Sequence, residues 1–195
     1  MTDSDFEGDG PLNHGPLKPR PFLHPARWSE EDIQSQCRWT FSRASGPGGQ
    51  NRNKVETSAS IEFLPTKDIA HANERRTQGE NRKIALQRLR CKLAIDFRTV
   101  ALNEPLPIEL HETSIEIWRK YCRNGRVQIS EDNWDWPALL SILLDMLAGK
   151  EWDLQSAAIA LGVSSTQAVK LLKKEPLALA RLNQERADRG KHPLR

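Results

Sequence analysis

The residues best suited to chemistry lie in the run Arg43 to Asn53, RASGPGGQNRN. Pro47 fixes its own φ and carries no donor, while the glycines around it admit backbone conformations closed to other residues. Such a run is neither helix nor central strand. It is entropically expensive to order, so its use lies in close approach. At Gly48 and Gly49 the main chain can enter a site that side chains would block, presenting N–H donors to a substrate. The plain alternative for a lone Gly-Gly-Gln is a surface turn. A phosphate cradle is a third option, but neither G-x-x-x-x-G-K-[ST] nor a strand followed by G-x-G-x-x-G fits.

No other residue set competes for a catalytic role. The histidines (His14, His24, His71, His111, His192) are scattered, and none pairs with a serine or cysteine nucleophile; they read as surface or loop residues. Cys37, Cys91 and Cys122 are odd in number, far apart and outside any CxxC pair, which predicts reduced, mostly buried thiols instead of a metal site or disulfide frame.

The elements that must carry the loop follow from periodicity. Ser29 is suited to cap a short helix whose first turn holds Glu30, Glu31 and Asp32. Cys37, Trp39 and Phe41 alternate with Arg38, Thr40 and Ser42, predicting a strand up to the loop. A second strand is expected over 59–64, with Ala59, Ile61 and Phe63 inward, and a third over 69–73. From about Thr77 to Phe97 the spacing turns helical: Leu86, Leu89, Leu93 and Phe97 share a face, and Arg82, Lys83, Arg90 and Lys92 lie mostly off it. The expected fold class is α+β, a small mixed or antiparallel sheet with a crossing helix, followed by a small all-helical C-terminal domain.

The ordered set Arg43 to Gln50, Asn53-Lys54-Val55-Glu56-Thr57-Ser58, Leu64-Pro65-Thr66, Glu74-Arg75, Thr77-Gln78 and Asn81-Arg82-Lys83 resembles the peptidyl-tRNA hydrolase domain, or GGQ domain, of class I peptide-chain release factors. The resemblance covers roughly Arg38 to Phe97, about a third of the chain. It implies hydrolysis of the ester joining a nascent peptide to tRNA, with Gly48, Gly49 and Gln50 catalytic: the Gln50 backbone N–H as main donor and its side chain orienting or selecting water. It also implies Gln50 as a target for N5-methylation by a glutamine methyltransferase. No cofactor or metal is implied. Arg43, Arg52, Lys54, Arg75, Arg76, Arg82 and Lys83 are the expected RNA contacts. The sequence departs from the family at Asn51-Arg52, which replaces the more usual histidine and small residue and leaves fine positioning open.

Charge is unevenly spread. Residues 43–100 hold twelve basic and six acidic residues and residues 181–195 five and two, whereas 101–180 hold eight basic and eleven acidic. Two basic zones predict two polyanion contacts. Residues 1–27 are polar, acidic and then proline-rich, and read as a disordered arm; 28–100 as the GGQ domain; 108–190 as a helical domain; 191–195 as a basic tail. Residues 98–110 read as a linker. Helices are expected over 110–123, 134–149 (apolar nearly all round and so buried), 154–161, 166–174 and from Pro176 to near Gly190. The 154–174 stretch has helix-turn-helix spacing, with Gly162 as a stop and Ser164 or Ser165 as the next cap, and reads equally as a plain helical hairpin.

About 42 residues precede the loop, which leaves no room for a codon-reading domain. The expectation is therefore codon-independent release of nascent chains from stalled ribosomes by a cytoplasmic monomer without a membrane segment. Its partners would be ribosomal RNA, peptidyl-tRNA and, through Arg186, Arg189, Lys191 and Arg195, the mRNA channel. The helical domain could instead recognise a particular ribosomal lesion. Two rivals stand beside this: a non-catalytic helix-turn-helix nucleic-acid-binding protein with a vestigial loop, and hydrolysis of peptidyl-tRNA off the ribosome.

Overall fold

The computed structural model describes residues 23–43, 56–98 and 108–194. Three antiparallel strands, β1 (Cys37–Ser42), β2 (Ser58–Phe63) and β3 (Asp68–Ala72), pair in the order β1-β2-β3. The alternation predicted for β1 and β2 holds: in β2, Ala59, Ile61 and Phe63 are buried while their neighbours are half-exposed. α1 (Glu30–Gln34) leads into β1, capped by the Ser29 hydroxyl, which accepts from the Asp32 amide at 3.1 Å. α2 (Gln78–Asp96) lies across the sheet. Its start is a reciprocal cap: the Glu80 amide donates to the Thr77 hydroxyl at 3.2 Å, and that hydroxyl donates to the Glu80 carboxylate at 2.7 Å. Leu86, Leu89 and Leu93 are buried as the spacing predicts. Fully burying a leucine is worth about 1.5–3 kcal/mol, so these three anchor the helix. Phe97 leaves the pattern, exposed just past the helix end.

The C-terminal half comprises α3 (Ile108–Tyr121), a two-stranded ribbon β4 (Cys122–Arg123) and β5 (Arg126–Val127), then α4 (Trp136–Gly149), α5 (Leu154–Ala160), α6 (Ser165–Lys174) and α7 (Pro176–Ala187). This half is not wholly helical: the helix expected to reach residue 123 stops at Tyr121, and Asn124 and Gly125, with φ of 50° and 70°, turn the chain into a hairpin. α3 also begins inside the stretch expected to be a linker. α4 is buried nearly all round, as its composition demands. Gly162, at φ 67°, ends the turn after α5, and Ser164 caps α6 by accepting from the Gln167 amide at 3.1 Å.

Two apolar clusters result. One lies between the sheet and α2, around Ile61, Phe63 and Leu89; the other centres on α4 and gathers α5, α6 and α7. α2 serves both, because Ala94 and Ile95 join the second cluster. Arg90 corrects the expected exposure of basic residues on α2. It is 1% exposed, donates to the carbonyls of Ala26 and Trp134, and its guanidinium carbon sits 3.7 Å from the Trp134 ring centroid. Burial lowers its pKa to about 10, so the charge persists at neutral pH.

Of the arm expected over residues 1–27, the first 22 residues lie outside the described ones. Its end is packed: His24 and Ala26 are fully buried around a 3₁₀ turn, Pro25–Arg27. Arg27 donates to Asp145 (2.5 Å), Ser141 (2.9 Å) and Ser114 (3.0 Å), and Arg98 reaches the other Asp145 oxygen at 3.2 Å. Proline there fixes a turn whose carbonyl and side-chain groups are used by α2, α3 and α4. Among the described residues no helix is long and apolar enough to cross a membrane.

Candidate functional site

Gly48, Gly49, Gln50, Arg52 and Lys54 lie outside the described residues, so the site is built from its foot. The loop connects β1 to β2, and its ends are closed by the pair Ser42↔Ser58. Next to it, Ala59 pairs with Ala72 at the end of β3. The chain therefore leaves β3 at the same end of the sheet as the loop, passes through residues 73–77, and starts α2 there. Topology alone places Arg43, Arg75, Arg76 and the first turns of α2, with Arg82 and Lys83, at the loop-bearing end.

Side chains then fasten this end together. Asn81, fully buried, donates from Nδ2 to the carbonyls of Thr57 (2.7 Å) and Arg75 (2.9 Å), while its Oδ1 accepts from the Arg75 amide at 2.9 Å. Gln78 donates to the Glu56 carbonyl at 3.0 Å. The returning arm of the loop is thus tied to α2 at two successive carbonyls, and the Arg75 backbone is held through both its polar groups. These bonds give physical reasons for glutamine at 78 and asparagine at 81. Both were quoted from sequence as part of a pattern, without a role.

The cations differ in their engagement. Arg43, Arg75, Arg76 and Lys83 are exposed. Arg82 lies over two stacked rings, with its guanidinium carbon 4.9 Å from the Trp39 centroid and 5.7 Å from that of Phe41. Its planar face is thereby used on the protein, while its exposed edge reaches the Gln34 side-chain oxygen at 3.5 Å. Arg75 and Lys83 also border a groove of about 1170 Å³ running from β3 and α2 to α7.

The tail residues are not gathered at the loop foot by any of these contacts. Arg186 donates to the His192 carbonyl at 2.9 Å, and Arg189 to the carbonyl and carboxylate of Glu185, both at 2.7 Å. Asn183 receives the Leu194 amide (2.8 Å) and donates to the Leu194 carbonyl (3.0 Å), with Leu194 packed on the second cluster. Residues 191–194, expected as a basic tail, fold back on α7. An extended path into a channel requires breaking these bonds. Arg195 lies outside the described residues.

Burial pushes the Cys37 and Cys91 thiols up to about 12, so both are protonated at neutral pH. In the helix-turn-helix-like pair, Gln167 near the start of α6 donates its side-chain amide to the Val127 carbonyl at 3.1 Å. One of the positions at the start of α6, from which a recognition helix would read bases, is thus engaged in an internal bond.

Comparison with known proteins agrees with this frame. The RF-1 domain family model matches residues 29–120, from the α1 cap to the end of α3. Peptide chain release factor 1 of Streptococcus pneumoniae serotype 19F (strain G54) is 44% identical over 76 residues, 38% of this chain and 21% of that protein. The chloroplastic peptide chain release factor PrfB1 of Arabidopsis thaliana is 44% identical over 95 residues, 49% of this chain and 20% of the relative. The chain spans about a fifth of the length of the curated relatives it matches. Over residues 29–120, the chain is similar to the RF-1 domain of peptide chain release factors.

Proposed function

We propose that this protein hydrolyses the ester of peptidyl-tRNA on the ribosome, without reading a stop codon, and so frees nascent chains from stalled ribosomes. The observation that carries the reading is the loop foot: the segment that contains Gly48-Gly49-Gln50 joins β1 to β2, its returning residues Glu56 and Thr57 are held by Gln78 and Asn81, and Arg43, Arg75, Arg76 and Lys83 lie at that end of the sheet. A fixed base lets a side-chain-free tip be placed, and the surrounding cations suit RNA phosphates.

In the proposed reaction, water attacks the ester carbonyl carbon. The new carbon–oxygen bond forms as charge gathers on the carbonyl oxygen, the bond to the ribose oxygen breaks, and a proton from the water ends on that oxygen. The Gln50 backbone N–H donates to the developing oxyanion, and the Gln50 side chain orients the water. One preorganised donor of this kind is typically worth ~10²–10³ in rate. Arg52 and Lys54, with Arg43, Arg75, Arg76, Arg82 and Lys83, contact ribosomal or transfer RNA backbone. Methylation of Gln50 by a glutamine methyltransferase, and RNA contacts by Arg186, Arg189, Lys191 and Arg195, belong to the same proposal.

The test uses stalled ribosomes carrying labelled peptidyl-tRNA with a sense codon, a stop codon or no codon in the A site, alongside free peptidyl-tRNA. Equal release from the three ribosomal complexes and none from free peptidyl-tRNA is expected. Release confined to stop codons contradicts the codon independence. Release from free peptidyl-tRNA contradicts the requirement for the ribosome.

A further inference from the structure

Within a region that is acidic overall, residues 119–126 hold Arg119, Lys120, Arg123 and Arg126 and no acid. The fold turns this run into a displayed hairpin. Arg123 and Arg126 are direct cross-strand partners in the β4–β5 ribbon, and both are exposed. Like charges facing each other across strands are unfavourable on their own, so their placement needs an external reason.

Their surroundings provide no internal one. Lys120 is committed to Asp135 at 2.7 Å, and the Tyr121 hydroxyl donates to the same carboxylate at 2.6 Å. Arg119, Arg123 and Arg126 make no side-chain hydrogen bond or ion pair among the described residues. Glu116, one turn earlier on α3, is exposed and pairs with none of them. Lys120, Tyr121, Arg123, Asn124, Arg126 and Gln128 border a polar cleft of about 670 Å³.

The hairpin is also braced. Val127 is buried, its carbonyl accepts from Gln167 of α6, and the Gln128 amide donates to the Tyr121 carbonyl at 3.1 Å. A Cβ added at Gly125 would meet the Gly162 carbonyl oxygen at 3.5 Å, so the tip rests on the turn between α5 and α6. Gly125 sits at φ 70°, where a side chain would be strained as well. The exposed Lys170 and Lys173 lie on the helix that braces it. A rigid mount for unneutralised guanidinium groups is what backbone phosphate recognition requires, since Arg binds phosphate through a fixed fork of donors.

We propose that the β4–β5 hairpin, through Arg123 and Arg126 with Arg119, is a second nucleic-acid contact that grips the phosphodiester backbone of folded RNA, separate from the loop foot. It rests on the proposed ribosomal function for the choice of RNA. It reads no bases; the contacts are electrostatic and salt-dependent.

The experiment measures binding of the full chain to vacant ribosomes, to purified ribosomal RNA and to duplex DNA of matched phosphate content, across a salt series. The proteins are wild type, R123E/R126E, R123K/R126K and, as a control, Q50A. Circular dichroism and thermal melting verify folding. Ribosome and RNA affinity should fall at least about tenfold in R123E/R126E, with the slope of log K against log salt shallower by about 1–2. R123K/R126K should stay within about threefold of wild type, and Q50A should show the same salt slope as wild type while releasing peptide more slowly. Unchanged ribosome and RNA affinity in a folded R123E/R126E overturns the hairpin contact, whatever becomes of release. Loss confined to duplex DNA overturns the assignment to RNA. Should the double charge reversal not fold, R123Q/R126Q is read on the same criteria. Absence of release by wild type, with hairpin-dependent RNA binding intact, defeats the catalytic reading alone.

Discussion

Asn81 donates to the Thr57 carbonyl at 2.7 Å, joining the one buried residue in the first turn of α2 to the residue that ends the loop, 24 positions earlier in the chain. The same side chain satisfies both polar groups of the Arg75 backbone. N81L should leave three backbone polar groups unmet, the buried Thr57 carbonyl among them, and cost about 1–3 kcal/mol. Release should fall at least tenfold even where circular dichroism shows the fold intact, because the loop foot is no longer fixed. N81D, which keeps the acceptor for the Arg75 amide, should lie between. A melt and a release assay on the same preparations check both.

Asp145 stands between Arg27 and Arg98, with all three side chains largely buried. D145N keeps the shape but leaves two guanidinium groups without a countercharge. Breaking a buried pair in this way typically costs about 3–5 kcal/mol, or roughly 6–20 °C in Tm for a chain of this size. Substituting all three with apolar residues should recover part of the loss. Thermal melting at two salt concentrations should show the D145N loss unrelieved by salt.

His24 is locked neutral. Its Nδ1 accepts from the Ala26 amide at 3.0 Å, which leaves Nε2 as the donor to the Phe97 carbonyl, also at 3.0 Å. Burial lowers its pKa to about 3, with Asp145 opposing and Arg27 and Arg98 assisting. Between pH 6.5 and 3 the unfolded chain binds a proton that the folded one refuses, so stability falls as pH falls through that window, by up to about 1.4 kcal/mol per unit. H24Q should be less stable at pH 7 and flatter across the window. Urea melts at pH 7, 6 and 5 test this.

Cys37 and Cys91, raised to about 12 by burial, should resist a thiol reagent at pH 8 in the native state and react when the chain is unfolded in urea. Rapid native labelling of either would contradict their packing. C37S, placing a hydroxyl among apolar neighbours, should cost about 1–3 kcal/mol.

How far the sequence could be read depended on the kind of signal. β1, β2 and β3 were legible because alternation is strict where one face is buried, and α2 because Thr77 and Glu80 announce its start. Arg90 misled because periodicity scores a charge as solvent-seeking, whereas this guanidinium has two carbonyls and the Trp134 face to bind. Residues 24–27 misled through their prolines, which exclude helix and sheet but permit a buried 3₁₀ turn. The β4–β5 hairpin was lost in an apparent helix end. Its strands are two residues each, and only Asn124-Gly125 marks the turn. Its four cations are outweighed by the eleven acids of residues 101–180. At the site, the catalytic run was visible as composition and order. The clamp through Gln78 and Asn81 was not, since hydrogen bonds across more than twenty residues leave no local period.

The central claim is tested most directly by adding purified wild type, G49A and Q50A to ribosomes stalled on truncated mRNA with labelled peptidyl-tRNA and following ester cleavage with time. The account predicts rapid release by wild type, with a loss of about a hundredfold or more in G49A, whose added Cβ obstructs approach, and a smaller loss in Q50A, which keeps the backbone donor. Peptides that stay attached with wild type, or that are released equally by all three proteins, would contradict it.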